Sequence, residues 1–343
     1  NNVYALNPVD RKRQFEFGDR FFPTANERQF PTGGDVRSSP LVVENGDETT
    51  IYIGSDDNLF YALDKDGKEL WNFNVGGDVS LGRPSIGPYG NIFVSNRQNL
   101  NPFLYALNSV SGVEAWSFDI GDENEYMAGV DPNSGVIYTD RSGNQLLALN
   151  PDGSQRWVLD VSADIQSTPR VGTEVDTEGT VYFSTRFNSN VNFDSGEFFA
   201  ASDLGASGAI SWRYPGDTGG FGGISTIETT PALSNDQSVV YGVAENETLY
   251  AINTDPAAGF RVRCAFSPIG GLTGSGEIPS SPTFDLEDDT IYVGSDEDPG
   301  GKIVAVNSNG TLRWKFSTPL DVNATPAIDP NSKIVYAGSD DSN

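Results

Sequence analysis

One short strand, repeated seven times, limits what this chain can become. It reads VYALN at 3–7, FYALD at 60–64, LYALN at 104–108, LLALN at 146–150, FFAAS at 198–202, LYAIN at 249–253 and IVAVN at 303–307. Its alanines (Ala5, Ala62, Ala106, Ala148, Ala200, Ala251 and Ala305) stand about 42 to 57 residues apart, the spacing of a repeat architecture. Each copy runs into a polar turn, such as DKDGK at 64–68, NPDGS at 150–154 or NSNGT at 307–311, and then into a strand carrying an aromatic residue. All five tryptophans, Trp71, Trp116, Trp157, Trp212 and Trp314, fall at this one position, and Phe15 and Cys264 occupy it in the other two copies. A position so restricted reads as a repeated packing socket in which the indole covers the neighbouring unit.

Two more strands complete the unit. One begins at a small-polar-Pro step: SSPLV at 38–42, RPSI at 83–86, STPRV at 167–171, TTPAL at 229–233, SSPTF at 280–284 and ATPAI at 324–328. The third copy has MAGV at 127–130 instead. The other is β-rich and alternating: IYIGS, IFVSN, VIYTD, VYFST, VVYGV, IYVGS and VYAGS. Four antiparallel strands at a period of about 49 residues predict an all-β fold, a seven-bladed β-propeller of four-stranded blades. One blade cannot bury both faces, whereas seven arranged radially can. The ends of the chain fit each other. Residues 323–343 supply two strands of a unit and 1–17 supply the other two, so residues 1–343 are expected to form a single domain whose closing blade is shared by both termini.

The run IYIGSDDNLFYALDKDGKELWNF, preceded by SSP, resembles the quinoprotein-type repeat, also called the pyrroloquinoline-quinone-like repeat, and the resemblance extends over essentially the whole chain. It implies a propeller fold and leaves function open. The superfamily includes quinone-dependent dehydrogenases, which hold the quinone and a Ca²⁺ over the axis, and many of which use vicinal cysteines and a Trp beneath the ring. It also includes non-catalytic relatives, among them a lipoprotein of the outer-membrane barrel assembly machinery. This chain has one cysteine, Cys264, and every Trp is committed to the socket. Its resemblance is nearer the non-catalytic members, and pyrroloquinoline quinone is disfavoured as a cofactor.

Composition excludes further classes. The sequence has no histidine, which removes a Ser-His-Asp triad, His-bound zinc and His-ligated haem. One cysteine allows no internal disulfide. Asp and Glu number 48 against 21 Lys and Arg, a net charge of −27, which repels nucleic acid and anionic lipid. Asp exceeds Glu and Arg exceeds Lys, a balance suited to a salt-rich or Ca²⁺-rich exterior. No apolar run approaches the ~20 residues of a membrane-spanning helix. The chain opens on Asn1 and reads as a mature product or an excised segment of an extracellular, cell-surface or periplasmic protein.

Candidate sites follow from the fold. Residues just before the Pro step should ring the mouth of the axial channel: Arg37, Arg83, Gln166, Glu228, Glu277 and Asn323. They could orient a small ligand or peptide, or simply line a solvated funnel. Three long loops carry aromatics that could form a partner-binding rim or fold back as lids: 18–35 with Phe21, Phe22 and Phe30, 186–197 with Phe187 and Phe193, and 215–227 with Phe221. Candidate Ca²⁺ ligands are Asp64 and Asp66, a pair that fits a hairpin turn better, and Asp288, Asp289 and Asp296. NET at 246–248, NGT at 309–311 and NAT at 323–325 fit glycosylation sequons. Together these features suggest an exported, non-catalytic scaffold that recognises protein or glycan through loops on one face and could build a surface assembly. A quinone- and Ca²⁺-dependent dehydrogenase, or a remnant of one, is the alternative.

Overall fold

The repeat becomes antiparallel sheet wherever it is seen. The computed structural model describes residues 3–6, 13–17, 29–30, 32–34, 38–45, 48–79, 83–97, 102–121, 126–161, 163–173, 179–187, 195–214, 227, 229–244, 248–255, 262–266, 280–285, 287–295, 301–317, 322, 325–328 and 335–336. The chain packs as two compact units, Asn1–Arg156 and Trp157–Asn343. All regular structure in the described residues is strand.

Six sheets have the full four-strand pattern. Sheet 1 is Leu41–Asn45, Glu48–Gly54, Leu59–Asp64 and Glu69–Asn74. Sheet 2 is Ser85–Ile86, Asn91–Arg97, Phe103–Asn108 and Glu114–Asp119, with Asp78–Val79 added to its second strand. Sheet 3 is Gly129–Val130, Ile137–Arg141, Gln145–Leu149 and Gln155–Asp160. Sheet 4 is Arg170–Val171, Thr180–Phe187, Ser195–Asp203 and Gly208–Tyr214, joined by Asp164–Ile165. Sheet 5 is Ala232–Leu233, Val239–Val243, Leu249–Asn253 and Val262–Phe266. Sheet 6 is Thr283–Phe284, Thr290–Ser295, Lys302–Asn307 and Leu312–Ser317. In each, strands pair in chain order.

The terminal segments form two further short sheets. Val3–Leu6 pairs with Arg13–Phe17, which takes Gln29–Phe30 in parallel, and Ala327–Ile328 pairs with Val335–Tyr336. Among the described residues these pairs belong to separate sheets.

The register explains the sequence pattern. The repeated alanine lies opposite the tryptophan position in six copies: Ala62↔Trp71, Ala106↔Trp116, Ala200↔Trp212, Ala305↔Trp314, and also Ala251↔Cys264 and Ala5↔Phe15. A β-bulge follows the alanine in all six pairs, and a bulge twists and re-aims the strand that carries it. The small alanine leaves room for the ring of the second strand to meet the indole. Tyr52 and Phe60 both lie against Trp71, at 5.8 and 6.1 Å between ring centres, and Tyr182 lies 6.0 Å from Trp212.

Neighbouring sheets share cores. Leu41, Tyr52 and Phe60 of sheet 1 pack in one cluster with Ile92, Val94 and Leu107 of sheet 2 and with Met127. Tyr182, Phe198 and Ala200 of sheet 4 join Leu233, Val240 and Ile252 of sheet 5. Tyr241 and Val243 of sheet 5 join Ile291, Val293 and Val304 of sheet 6. Burying both faces of a strand demands apolar residues on both sides, which is why LFYALD and LLAL are continuous rather than alternating.

Candidate functional site

The small hydroxyl residue two positions before proline has a structural task that its sequence position alone did not reveal. Proline has no N–H to give to a ladder, so the entry to a first strand is poorly tied. The hydroxyl makes good the loss. Ser38 Oγ accepts from Gly54 N at 2.7 Å and donates to Gly54 O at 3.2 Å, and Thr229 Oγ1 does the same with Val243 N and O, both at 3.0 Å. Ser167 Oγ accepts from Ser184 N at 2.9 Å and Ser280 Oγ from Gly294 N at 2.6 Å. First strands also meet across neighbouring sheets: Thr230 N donates to Ser281 Oγ at 3.0 Å, and Ser85 Oγ donates to Ala128 O.

In sheet 1 the approach to the first strand, at Gly33 and Gly34, passes the hairpin between second and third strands. The hairpin residue Asp57 organises this contact. Its carboxylate accepts from Gly33 N (2.6 Å), Tyr61 Oη (2.7 Å) and Leu59 N (3.1 Å). Burial and the adjacent Asp57 charge push the Tyr61 hydroxyl pKa well up, so Tyr61 remains a donor. Gly34 lies flat on the hairpin backbone, where an added Cβ would come within 2.6 Å of Asp57 N. The C-terminal end of the loop 18–35 is thereby fastened to sheet 1. Val75, leaving sheet 1, donates to Asn58 O at 3.0 Å, and its carbonyl accepts from Asn96 Nδ2 (2.7 Å) and Tyr105 Oη (3.1 Å) of sheet 2. Ser95 Oγ reaches Tyr126 O, Ser184 Oγ reaches Thr229 O, and Val322 N reaches Ser295 O in the same manner.

Of the expected mouth residues, Arg83 is exposed two residues ahead of its strand, and Gln166 is half-buried with its N–H on Ser184 O at 3.0 Å. Arg37, Glu228, Glu277 and Asn323 lie outside the described residues, as do Phe21, Phe22, Phe193 and Phe221. Two expected loop residues are in strand. Phe30 ends the two-residue strand beside Phe17, and Phe187 ends the second strand of sheet 4. Residues 186–187 and 195–197, expected in a loop, continue the ladder, with Thr185, Arg186 and Phe187 opposite Glu197, Gly196 and Ser195. Sheet 1 stops at Gly54↔Phe60, the equivalent of Ser184↔Phe198, so the sheet 4 hairpin runs three rungs further. The buried Glu197 near its base lies 3.8 Å from Arg213.

The acidic candidates are engaged in turns. Asp64 Oδ1 accepts from the amides of Asp66 and Lys68, both at 2.9 Å, the geometry of a hairpin turn. Asp288 loses some solvation, yet its hydrogen bonds to Thr290 and the Arg313 guanidinium hold its pKa below the usual value. Asp289 adopts a left-handed φ of 56°, and Asp296 lies outside the described residues.

Quinone and Ca²⁺ chemistry, which the repeat resemblance brings into question, needs clustered oxygen ligands and an indole beneath the quinone. Among the described residues no three Asp, Glu, Cys or His side chains gather. Four of the five indoles face a neighbouring sheet's turn, with Nε1 of Trp71 on Ser109 O, Trp116 on Pro151 O, Trp157 on Asp203 Oδ1 and Trp212 on Thr254 O. No described helix is long and apolar enough to cross a membrane.

A protein-family model described as outer membrane protein assembly factor BamB matches residues 3–251. Among solved structures, the crystal structure of BamB from Moraxella catarrhalis is similar to this chain with a TM-score of 0.60 at 15% sequence identity, over 88% of this chain and 82% of that one. At that identity the likeness shows the fold, a β-propeller. No curated protein matches the sequence.

Proposed function

The chain belongs to the family of the outer membrane protein assembly factor BamB, and from that premise we propose that it is a non-catalytic propeller that binds a protein partner in outer-membrane assembly. It acts outside the cytoplasm, at the cell surface or in the periplasm. The family match over residues 3–251 carries this reading. The absence of histidine, the commonest acid–base side chain, supports it, as does the engagement of the candidate Asp64 and Asp288 in turns. The binding surface of this reading is the hairpin rim of the sheets, with Arg83 among its residues. In the sequence, Arg37, Gln166, Glu228, Glu277 and Asn323 stand, like Arg83, shortly before the proline of the small-polar-Pro step. Recognition of glycan by the same rim is a narrower form of this reading.

Biolayer interferometry of the purified chain against a detergent-solubilised outer-membrane β-barrel protein from the same source is the direct test. Saturable binding that weakens on Arg83→Glu is expected. Absence of binding, together with oxidation of an alcohol or sugar on addition of pyrroloquinoline quinone and Ca²⁺, overturns the proposal in favour of a dehydrogenase.

A further inference from the structure

Three turns between third and fourth strands are built alike. DKDGK at 64–68, NPDGS at 150–154 and NSNGT at 307–311 each place the first residue's N–H on the last residue's carbonyl, at 2.9 Å in all three. Each also places the glycine N–H on the first residue's carbonyl, at 2.8–3.0 Å. Their glycines, Gly67, Gly153 and Gly310, have φ of 75°, 85° and 82°. The residue before the glycine differs: Asp66 and Asp152 in sheets 1 and 3, Asn309 in sheet 6. Asn309 Oδ1 accepts from Thr311 N at 3.0 Å and from Thr311 Oγ1 at 2.6 Å. Asp152 Oδ1 accepts the same two bonds, at the same lengths, from Ser154. Asn307 Nδ2 donates to Thr311 Oγ1 at 2.9 Å, which leaves the hydroxyl proton for Asn309.

A side-chain amide that precedes glycine is open to attack, because no Cβ screens the glycine nitrogen from the amide carbon. In this turn the oxygen that takes up negative charge during such an attack already holds two donors, the arrangement of an oxyanion hole. Water has access, since Asn309 and Thr311 are both exposed. The Gly310 N–H bond to Asn307 O stands against the attack and has to open first. The matching turn of sheet 3 offers no such route at its own asparagine, because Asn150 precedes Pro151, which has no N–H.

We infer that Asn309 is a self-modification site, at which the sheet 6 turn acquires the carboxylate that its counterparts already carry. The Gly310 nitrogen bonds to Asn309 Cγ and gives up its proton. The Cγ–Nδ2 bond breaks, and the side-chain nitrogen leaves as ammonia with that proton. Water then opens the cyclic imide. Addition at Cγ breaks the new bond and yields Asp, whereas addition at the main-chain carbonyl breaks the peptide bond and yields isoaspartate, with one more methylene in the main chain. Asp has a place in this turn, as the identical bonds of Asp152 demonstrate. Isoaspartate does not, because a longer main chain cannot keep both the Asn307 N to Thr311 O bond and the Gly310 N to Asn307 O bond. The Ser154 hydroxyl and amide hold the Asp152 carboxyl below its usual pKa, so the matching product at 309 is ionised and adds one negative charge at an exposed turn. The modification is independent of partner binding.

Peptide mapping by mass spectrometry tests it on the full chain held folded in mildly alkaline buffer, with the same chain unfolded in urea as reference. The other Asn-Gly step of the sequence, Asn45-Gly46, reads out in its own peptide. Conversion at Asn309 in the folded chain is expected, slowed about tenfold by Thr311→Val and restored by Thr311→Ser. Asn309→Asp, which is the product itself, should melt close to the parent protein. An Asn309 that stays intact in the folded chain while it converts in urea overturns the proposal, because the turn then protects the amide. Conversion of Thr311→Val at the parental rate, with native circular dichroism, also overturns it, as does a marked loss of stability in Asn309→Asp. The comparison of folded with unfolded parent needs no variant and decides the matter even if the valine protein fails to fold.

Discussion

At the scale of single residues the fold depends on contacts that only one side chain can make. Gly112 has φ +68° and lies against the Trp71 ring, so Gly112→Ala combines left-handed strain with overpacking. Gly76 has φ +78° but open space around it. Gly76→Ala should cost about 1 kcal/mol and Gly112→Ala about 3 kcal/mol or more, measured by urea denaturation. Equal losses would mean that the indole does not rest on the turn. Asp236 is a second case. The Ser234 hydroxyl, then the Ser238 amide and hydroxyl, hold its carboxyl below the usual carboxylate range. A depressed folded pKa contributes stability that is present above the unfolded value of about 3.9 and lost as pH falls through the folded one. Asp236→Ala should therefore cost about 1 kcal/mol at pH 7, given the exposure of the turn, and the gap from the parent protein should narrow as pH falls below the unfolded value and through the depressed folded one. A gap that persists there would assign the loss to packing instead.

At the scale of the strand, the first strand is the weak element in sheets 1, 4, 5 and 6, because proline interrupts its ladder and a hydroxyl substitutes for it. Thr229→Val keeps the shape but leaves the buried Val243 N–H without its acceptor. We expect a loss of about 2 kcal/mol and faster hydrogen exchange at Val243, with Thr229→Ser close to the parent. Exchange at Val243 unchanged by the valine would refute the role given to the hydroxyl. The strands themselves were legible in the sequence, since YALN, the following turn and the Trp each recur in phase, and the structure keeps that phase even where Cys264 and Phe15 replace the indole. The hydroxyl before proline was legible only as spelling: SSP, STP and TTP show the pattern, and its reason lies in a cross-strand bond that no local period encodes. The sheet 4 hairpin was misjudged for a related cause. Polar residues such as Arg186 and Glu197 read as loop, but the pairing of Thr185–Phe187 with Ser195–Glu197 and the Glu197–Arg213 contact keep them in the ladder.

At the scale of the whole molecule, charge sets the conditions under which these parts cohere. A chain with 48 acidic against 21 basic residues repels itself, and the repulsion reaches about 30 Å at 0.01 M salt but only about 8 Å at 0.15 M. The candidate site was less legible than the fold for the same reason. Among so many carboxylates the sequence offers no way to separate a ligand from a turn, and the structure does so only by showing where Asp57 and Asp64 spend their lone pairs. If turns and solvent account for the acids, cations act through screening rather than through a site. The melting temperature should then rise by several degrees between about 0.01 M and about 0.5 M NaCl. Once low-millimolar CaCl₂ is compared with NaCl of equal ionic strength, the excess stabilisation should be small and should not saturate. A saturable gain at micromolar to millimolar Ca²⁺, abolished by Asp288→Asn but not by Asp64→Asn, would instead locate a specific ion at the acidic turn of sheet 6, because ligand linkage stabilises only the state that holds the ion.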